Sequence, residues 1–207
     1  MPANILQKAR SAKGFMPEPE GEALYRAAMG AGRHGPMLEI GTYCGKSALY
    51  FGAAADRLDQ EFFTIDHHRG SEENQPGWEH HDPEVVDEEA GMIDTLPYFR
   101  RNIREADLEG TVIGIIGHST QVASHWEKDL SLVFIDGGHG REPAHNDYEH
   151  WSPKVAPGGL LLIHDVFEDP EDGGRPPYEI YTRAVESDGF EQIDREGSLR
   201  ILRRESP

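Results

Sequence analysis

Short apolar runs alternate with longer amphipathic stretches along the chain. Residues 37–40, 62–66, 112–116, 132–136 and 160–165 are rich in Ile, Leu, Val and Phe, and most end at a glycine or an acid. Runs of this length and content predict short buried β-strands. Between them, residues 46–58, 93–106 and 142–151 carry helical spacing; in the second, Leu96, Phe99 and Ile103 fall on one face. A helix closed by glycines is predicted over 21–32, and another runs from the Gly173-Gly-Arg-Pro-Pro177 loop to Ser187. Residues 190–194 and 199–202 read as a hairpin around Gly197, and residues 1–20 as an N-terminal arm. The alternation predicts one α/β domain over residues 1–207. It is Rossmann-like, a seven-stranded, mostly parallel sheet with helices on both faces and an antiparallel edge strand from the closing hairpin.

One segment breaks this rhythm. Residues 67–92, which open His67-His-Arg-Gly-Ser71 and include Trp78 and His80-His81, are polar and without clear periodicity. An insert this long inside a domain predicts either a lid over a substrate site or a disordered segment. The histidine pairs and Trp78 read equally well as pocket lining or as a solvated loop.

Charge narrows the partners. The 207 residues carry a formal net charge of −18, which repels phosphate backbones and anionic lipid. Neither nucleic acid nor a membrane is expected as a partner; a small-molecule or oligosaccharide acceptor is, and a homodimer stays open. The single cysteine, Cys44, leaves no intrachain disulfide and fits a reducing compartment. It reads as a packing residue. The first residues lack a long apolar core of the kind a signal peptide carries, so a cytoplasmic protein is expected.

The stretch Met37-Leu-Glu-Ile-Gly-Thr-Tyr-Cys-Gly-Lys-Ser-Ala48 joins a strand, a glycine turn and a helix start, where backbone amides can face a ligand. Its spacing is Glu39-x-Gly41-x-x-x-Gly45. Tyr43 stands where a dinucleotide fingerprint needs its middle glycine, which disfavours a nicotinamide cofactor. Three strands end in acids: Asp66, Asp136 and Asp165. Asp66 follows Gly41 by one helix and one strand. Asp136 and Asp165, at the ends of neighbouring strands, would converge above the sheet and offer hard oxygen ligands to Mg²⁺ or another divalent ion.

The glycine turn resembles the cofactor loop of class I S-adenosylmethionine-dependent methyltransferases. The resemblance implies S-adenosylmethionine as cofactor, held by Glu39, Gly41, Thr42, Gly45, Ser47, Asp66, His67, His118, Ser119 and Asp136. Asp66 would hold the ribose, and Gly117-His-Ser119 would form the adenine-side loop. The run Asp136-Gly-Gly-His139, followed by Gly158-Gly-Leu-Leu-Leu-Ile-His-Asp165, resembles the metal-dependent bacterial sugar O-methyltransferases. That branch includes the macrolide-sugar and mycobacterial polysaccharide enzymes. It implies a metal on Asp136 and Asp165, with Asp136 also catalytic, His139 as general base and a sugar hydroxyl as acceptor, with a mycobacterial-type methylated mannoside or glucoside as the narrower expectation.

Catechol-type relatives place an Asn just after the second acid, where this chain has Val166. A third ligand is therefore expected from an acid in the 67–94 stretch or from Glu168. Strand alternation points His164 away from Asp165, into the core or behind the ligands. Two rivals stay open: a catechol-type O-methyltransferase, and a catalytically silent cofactor-binding regulator.

Overall fold

The computed structural model describes residues 1–206 apart from residues 79, 80 and 139, with Glu73 described by its backbone. The helices are α1 (Ala3–Ser11), α2 (Glu18–Gly30), α3 (Lys46–Leu58), α4 (Leu96–Glu105), α5 (Ser119–Ala123), α6 (Arg141–Trp151) and α7 (Arg175–Glu186). The strands are β1 (Met37–Ile40), β2 (Phe62–Asp66), β3 (Val86–Asp87), β4 (Met92–Ile93), β5 (Val112–Ile116), β6 (Leu130–Ile135), β7 (Val155–Ile163), β8 (Phe190–Glu196) and β9 (Leu199–Arg204). Seven strands form one sheet in the order β5-β2-β1-β6-β7-β9-β8. Its first five members run parallel, and β9 pairs antiparallel with both β7 and the outermost strand, β8.

Period-two alternation within buried strands builds two cores. Met37, Phe62, Leu132, Phe134 and Leu162 point to one face, where they meet Leu24 of α2, Leu49 and Phe51 of α3 and Phe99 of α4. Leu38, Ile65, Val133, Leu161 and Ile163 point to the other, against Tyr148 and Trp151 of α6 and Ile180 of α7. Each such side chain contributes about 1.5–3 kcal/mol on full burial. With both faces covered, only the strand ends are left to carry a site. No described helix is long and apolar enough to cross a membrane.

Two segments are more ordered than their sequence suggests. Half of the expected arm is α1, whose Ile5 and Ala9 lie one helical turn apart and join the core beside α3. Lys8 Nζ pairs with Glu105 Oε2 of α4 at 2.5 Å. The 67–92 insert folds into turns at Glu72–Asn74 and Pro83–Val85 and a small antiparallel pair of β3 with β4. Val85 and Ile93 bury against Cys44, with Tyr43, Val86 and Tyr98 around them. Lys13 Nζ reaches Asp82 Oδ2 at 2.7 Å and Glu84 Oε2 at 2.5 Å, so the N-terminal segment and the insert are joined over the turn that follows β1.

Candidate active site

The chain runs from β1 outward through β2 to β5, then returns to place β6 on the other side of β1. The strand order therefore reverses between β1 and β6, and a crevice opens there beyond the carboxyl ends of the strands. The turn after β1 borders it. Gly41 has φ +95°, and a Cβ there would stand 2.0 Å from the carbonyl oxygen of Asp136, so only glycine lets β1 leave the sheet this close to the end of β6. Tyr43 (φ 47°) and Gly45 (φ 84°) are also left-handed. Asp66 holds the turn: its Oδ2 accepts from the Tyr43 N–H and its Oδ1 from the His68 N–H, both at 2.7 Å.

Beneath the turn lies a buried polar group. Thr64 donates to Glu39 Oε2 at 2.6 Å, and the hydroxyls of Thr42 and Thr64 are 2.5 Å apart. Glu39, Thr42 and Ser47 are all buried. Burial pushes the Glu39 carboxyl up to about 8, and the negative charges of Asp136 and Asp66 add to the effect. These three residues thus support the turn from the core side. On the β5 side, the His67 and His118 rings lie 4.8 Å apart. Ser119 donates to Asp147, a short hydrogen bond, and burial pushes the Asp147 carboxyl up to about 6.

The histidine pairs separate. His68 is buried, with Nδ1 2.8 Å from the Thr95 hydroxyl and its ring stacked on Phe99. His81 bonds the Asn74 carbonyl at 2.9 Å and, with Lys13, Gly14, Phe15, Tyr43, Asp82 and Pro83, lines a cavity of about 290 Å³ beside the turn. Trp78 is exposed. His80 lies outside the described residues.

The ends of β6 and β7 bring three ligand groups together. Asp136, His164 and Asp165 each offer an atom within 4.8 Å of the others. His164 Nδ1 is 3.0 Å from Asp136 Oδ1 and 3.2 Å from Asp165 Oδ2. This corrects the expectation that His164 and Asp165 point apart. The strand ends at Ile163 and Asp165 is left-handed (φ 55°), so alternation does not extend to this pair. His164 is 6% exposed, and its Nδ1 is aligned in no hydrogen bond. Burial works against a charge on the ring, but the carboxylates of Asp136, Asp165 and Glu20 outweigh it and hold His164 well above the usual histidine range.

Of the expected sources of a third ligand, no described acid of residues 67–94 joins this group, and neither does Glu168. Val166 is buried, and its N–H donates to the Ser198 carbonyl at 3.0 Å. Glu168 is exposed and lies 3.7 Å from Arg195 and 3.9 Å from Arg200. A divalent ion fits the donors that are present: two carboxylates, and one buried nitrogen that faces both of them. His139 lies outside the described residues. Gly138 approaches the insert, since a Cβ there would stand 3.1 Å from the Ser71 Cβ.

Residues 38–166, which span β1 to the residue after Asp165, match the protein family described as a methyltransferase domain. Solved structures share the fold. The O-methyltransferase NovP superposes with a TM-score of 0.72 at 17% identity, over 98% of this chain and 88% of its own. The S-adenosylhomocysteine-bound methyltransferase PaMTH1 of Podospora anserina gives 0.69 at 14%, over 100% and 89%. The O-methyltransferase TomG of Streptomyces achromogenes, which acts in tomaymycin synthesis and was solved with S-adenosylmethionine, gives 0.66 at 16%, over 100% and 92%.

Proposed function

Because this chain belongs to the methyltransferase-domain family, we propose that it transfers a methyl group from S-adenosylmethionine to a sugar hydroxyl, assisted by a divalent metal. The observation that carries the reading is the convergence of Asp136 and Asp165 at the ends of β6 and β7, beside the crevice that the Asp66-held turn borders.

S-adenosylmethionine supplies, when bound, an electrophilic methyl carbon on a positively charged sulfur. The turn from Gly41 to Gly45 faces the amino-acid end of the cofactor. Asp66 accepts from the ribose, since each of its oxygens has a second lone pair beyond the backbone bond it already takes. His118 and Ser119 border the adenine side. Asp136 and Asp165 are the oxygen ligands of the cation, which when bound would lower the pKa of an acceptor hydroxyl.

His139, three residues beyond Asp136, receives the hydroxyl proton. An unperturbed imidazole titrates near 6.5 and serves this role at neutral pH, where general-base help is worth roughly 10²- to 10⁴-fold. With the donor bound, the oxygen–carbon bond would form as the carbon–sulfur bond breaks, with S-adenosylhomocysteine as the leaving group. Little covalent chemistry falls to the protein, and most of the acceleration comes from in-line placement of oxygen, carbon and sulfur. The Asp136-Gly-Gly-His139 run and the polar insert favour a sugar as acceptor. Against the catechol-type alternative stands Val166, an apolar buried residue where a further metal-binding amide would be required.

Calorimetry tests the cofactor assignment. S-adenosylhomocysteine is expected to bind while NAD gives no heat; the reverse pattern overturns the reading.

A further inference from the structure

His164 is held from behind. Its Nε2 lies 2.5 Å from Oε2 of Glu20, on α2, a residue 144 positions earlier in the chain. The Glu20 carboxylate is 5% exposed, and its other oxygen accepts from the Ser198 N–H at 2.6 Å and the Ser198 hydroxyl at 3.1 Å. The β8–β9 turn is shaped around it: Gly197 has φ +52°, and a Cβ there would stand 2.1 Å from Glu20 Oε1. A carboxylate fixed on both sides can accept from a histidine N–H but cannot donate to a ring nitrogen. The Nε2 atom therefore carries a proton, and Nδ1 is the ring atom left facing Asp136 and Asp165, at 3.0 and 3.2 Å, where a cation bound by the three residues would replace any proton on it.

We propose that Glu20 is a positioning residue that makes His164 Nδ1 a metal ligand, completing with Asp136 and Asp165 a two-oxygen, one-nitrogen set that favours Mn²⁺ or Co²⁺ over Mg²⁺. The inference rests on reading Asp136 and Asp165 as the oxygen ligands of a divalent ion. Imidazole suits first-row transition ions, whereas Mg²⁺ selects oxygen ligands and retains its waters. A carboxylate on the second nitrogen of a ligating histidine fixes its tautomer and orientation, and loss of such a partner typically weakens metal binding by about 10- to 100-fold. In Glu20→Gln the side-chain amide can donate to Nε2, which turns the protonated nitrogen towards the metal side. The ring stays; its lone pair is lost to the site.

The test uses the full chain freed of metal and titrated with Mn²⁺. Binding is read from the loss of the free-ion paramagnetic resonance signal, and nitrogen ligation from ¹⁴N modulation of the electron spin echo. The wild type is expected to bind Mn²⁺ more tightly than Mg²⁺ and to show ¹⁴N coupling. Glu20→Gln is expected to bind about 10- to 100-fold more weakly and to lose that coupling. Ser198→Ala removes only one hydroxyl contact to Glu20, and an about two- to five-fold weakening is expected, the size of one ordinary hydrogen bond; it serves if Glu20→Gln does not fold.

Tight Mn²⁺ binding without ¹⁴N coupling overturns the inference and leaves Asp136 and Asp165 as metal ligands. So does a folded Glu20→Gln, or failing that a Ser198→Ala, whose affinity and coupling equal those of the wild type. Failure of the wild type to bind any divalent ion overturns the metal reading itself.

Discussion

The Asp66 carboxylate accepts a 2.7 Å hydrogen bond from the backbone N–H of Tyr43, so the end of β2 fixes the turn that follows β1. The same carboxylate takes the His68 N–H at 2.7 Å and so joins the turn to the start of the insert. One side chain thus shapes the glycine turn and, in the proposed mechanism, also meets the cofactor.

Asp66→Ala removes both roles. A hydrogen bond to a charged group is worth about 1.5–3 kcal/mol, so binding of S-adenosylhomocysteine should weaken by roughly 10- to 100-fold, as measured by calorimetry. Asp66→Asn, which keeps one acceptor oxygen, should lose less. Unchanged affinity in Asp66→Ala would remove Asp66 from the cofactor site.

Gly41→Ala tests the close approach of β1 and β6. The left-handed backbone alone costs roughly 1–2 kcal/mol with a Cβ present, and the 2.0 Å contact with the Asp136 carbonyl forces the two strand ends apart. Urea unfolding should show a loss of about 2 kcal/mol or more, accompanied by weaker metal binding, because Asp136 shifts. A variant as stable as the wild type would contradict this geometry.

Glu39 sets a pH dependence of stability. Its folded pKa is raised to about 8 by burial, above the ordinary value of 4.5, so between these limits the folded chain holds a proton that the unfolded chain has lost. Stability from this group is fully present below about 4.5 and falls as pH rises through 8. In metal-free protein, thermal melts from pH 5 to 9 should decline more steeply for the wild type than for Glu39→Gln. Parallel curves would show that Glu39 is charged in the fold.

Lys13→Ala separates the insert from the N-terminal segment. Partly exposed ion pairs such as those to Asp82 and Glu84 are worth about 0–1 kcal/mol each, so global stability should change little. Amide exchange over residues 81–94 should quicken, and the acceptor KM should rise while S-adenosylhomocysteine affinity stays near that of the wild type. Exchange rates equal to the wild type would mean that the ion pairs do not hold the insert.

The parallel sheet was legible because its central strands are nearly continuous apolar runs, and the helices between them have clear faces. Asp66, Asp136 and Asp165 were legible for the same reason: each follows such a run at the carboxyl end of a parallel strand. Helix α1 was not, because Ile5 and Ala9 are its buried contacts and a pair one turn apart gives little periodic signal. Nor was the insert's fold, since β3 and β4 are two residues each and pack through Val86 and Ile93 against the distant Cys44. His164 was misread for a local reason. Period two holds only while the strand lasts, and a left-handed residue at Asp165 turns both side chains towards Asp136. Glu20 could not be linked to His164 from sequence, as the two meet only when α2 packs beside the β8–β9 turn.

Transfer of a labelled methyl group tests metal-assisted methylation of a sugar hydroxyl most directly. The full chain is incubated with methyl-labelled S-adenosylmethionine and a panel of sugars and catechols, first in EDTA and then with Mn²⁺ or Mg²⁺ restored. Label is expected in a sugar acceptor, absent in chelator and recovered with the ion. Full incorporation in EDTA, or label that enters catechols but no sugar, would contradict the account.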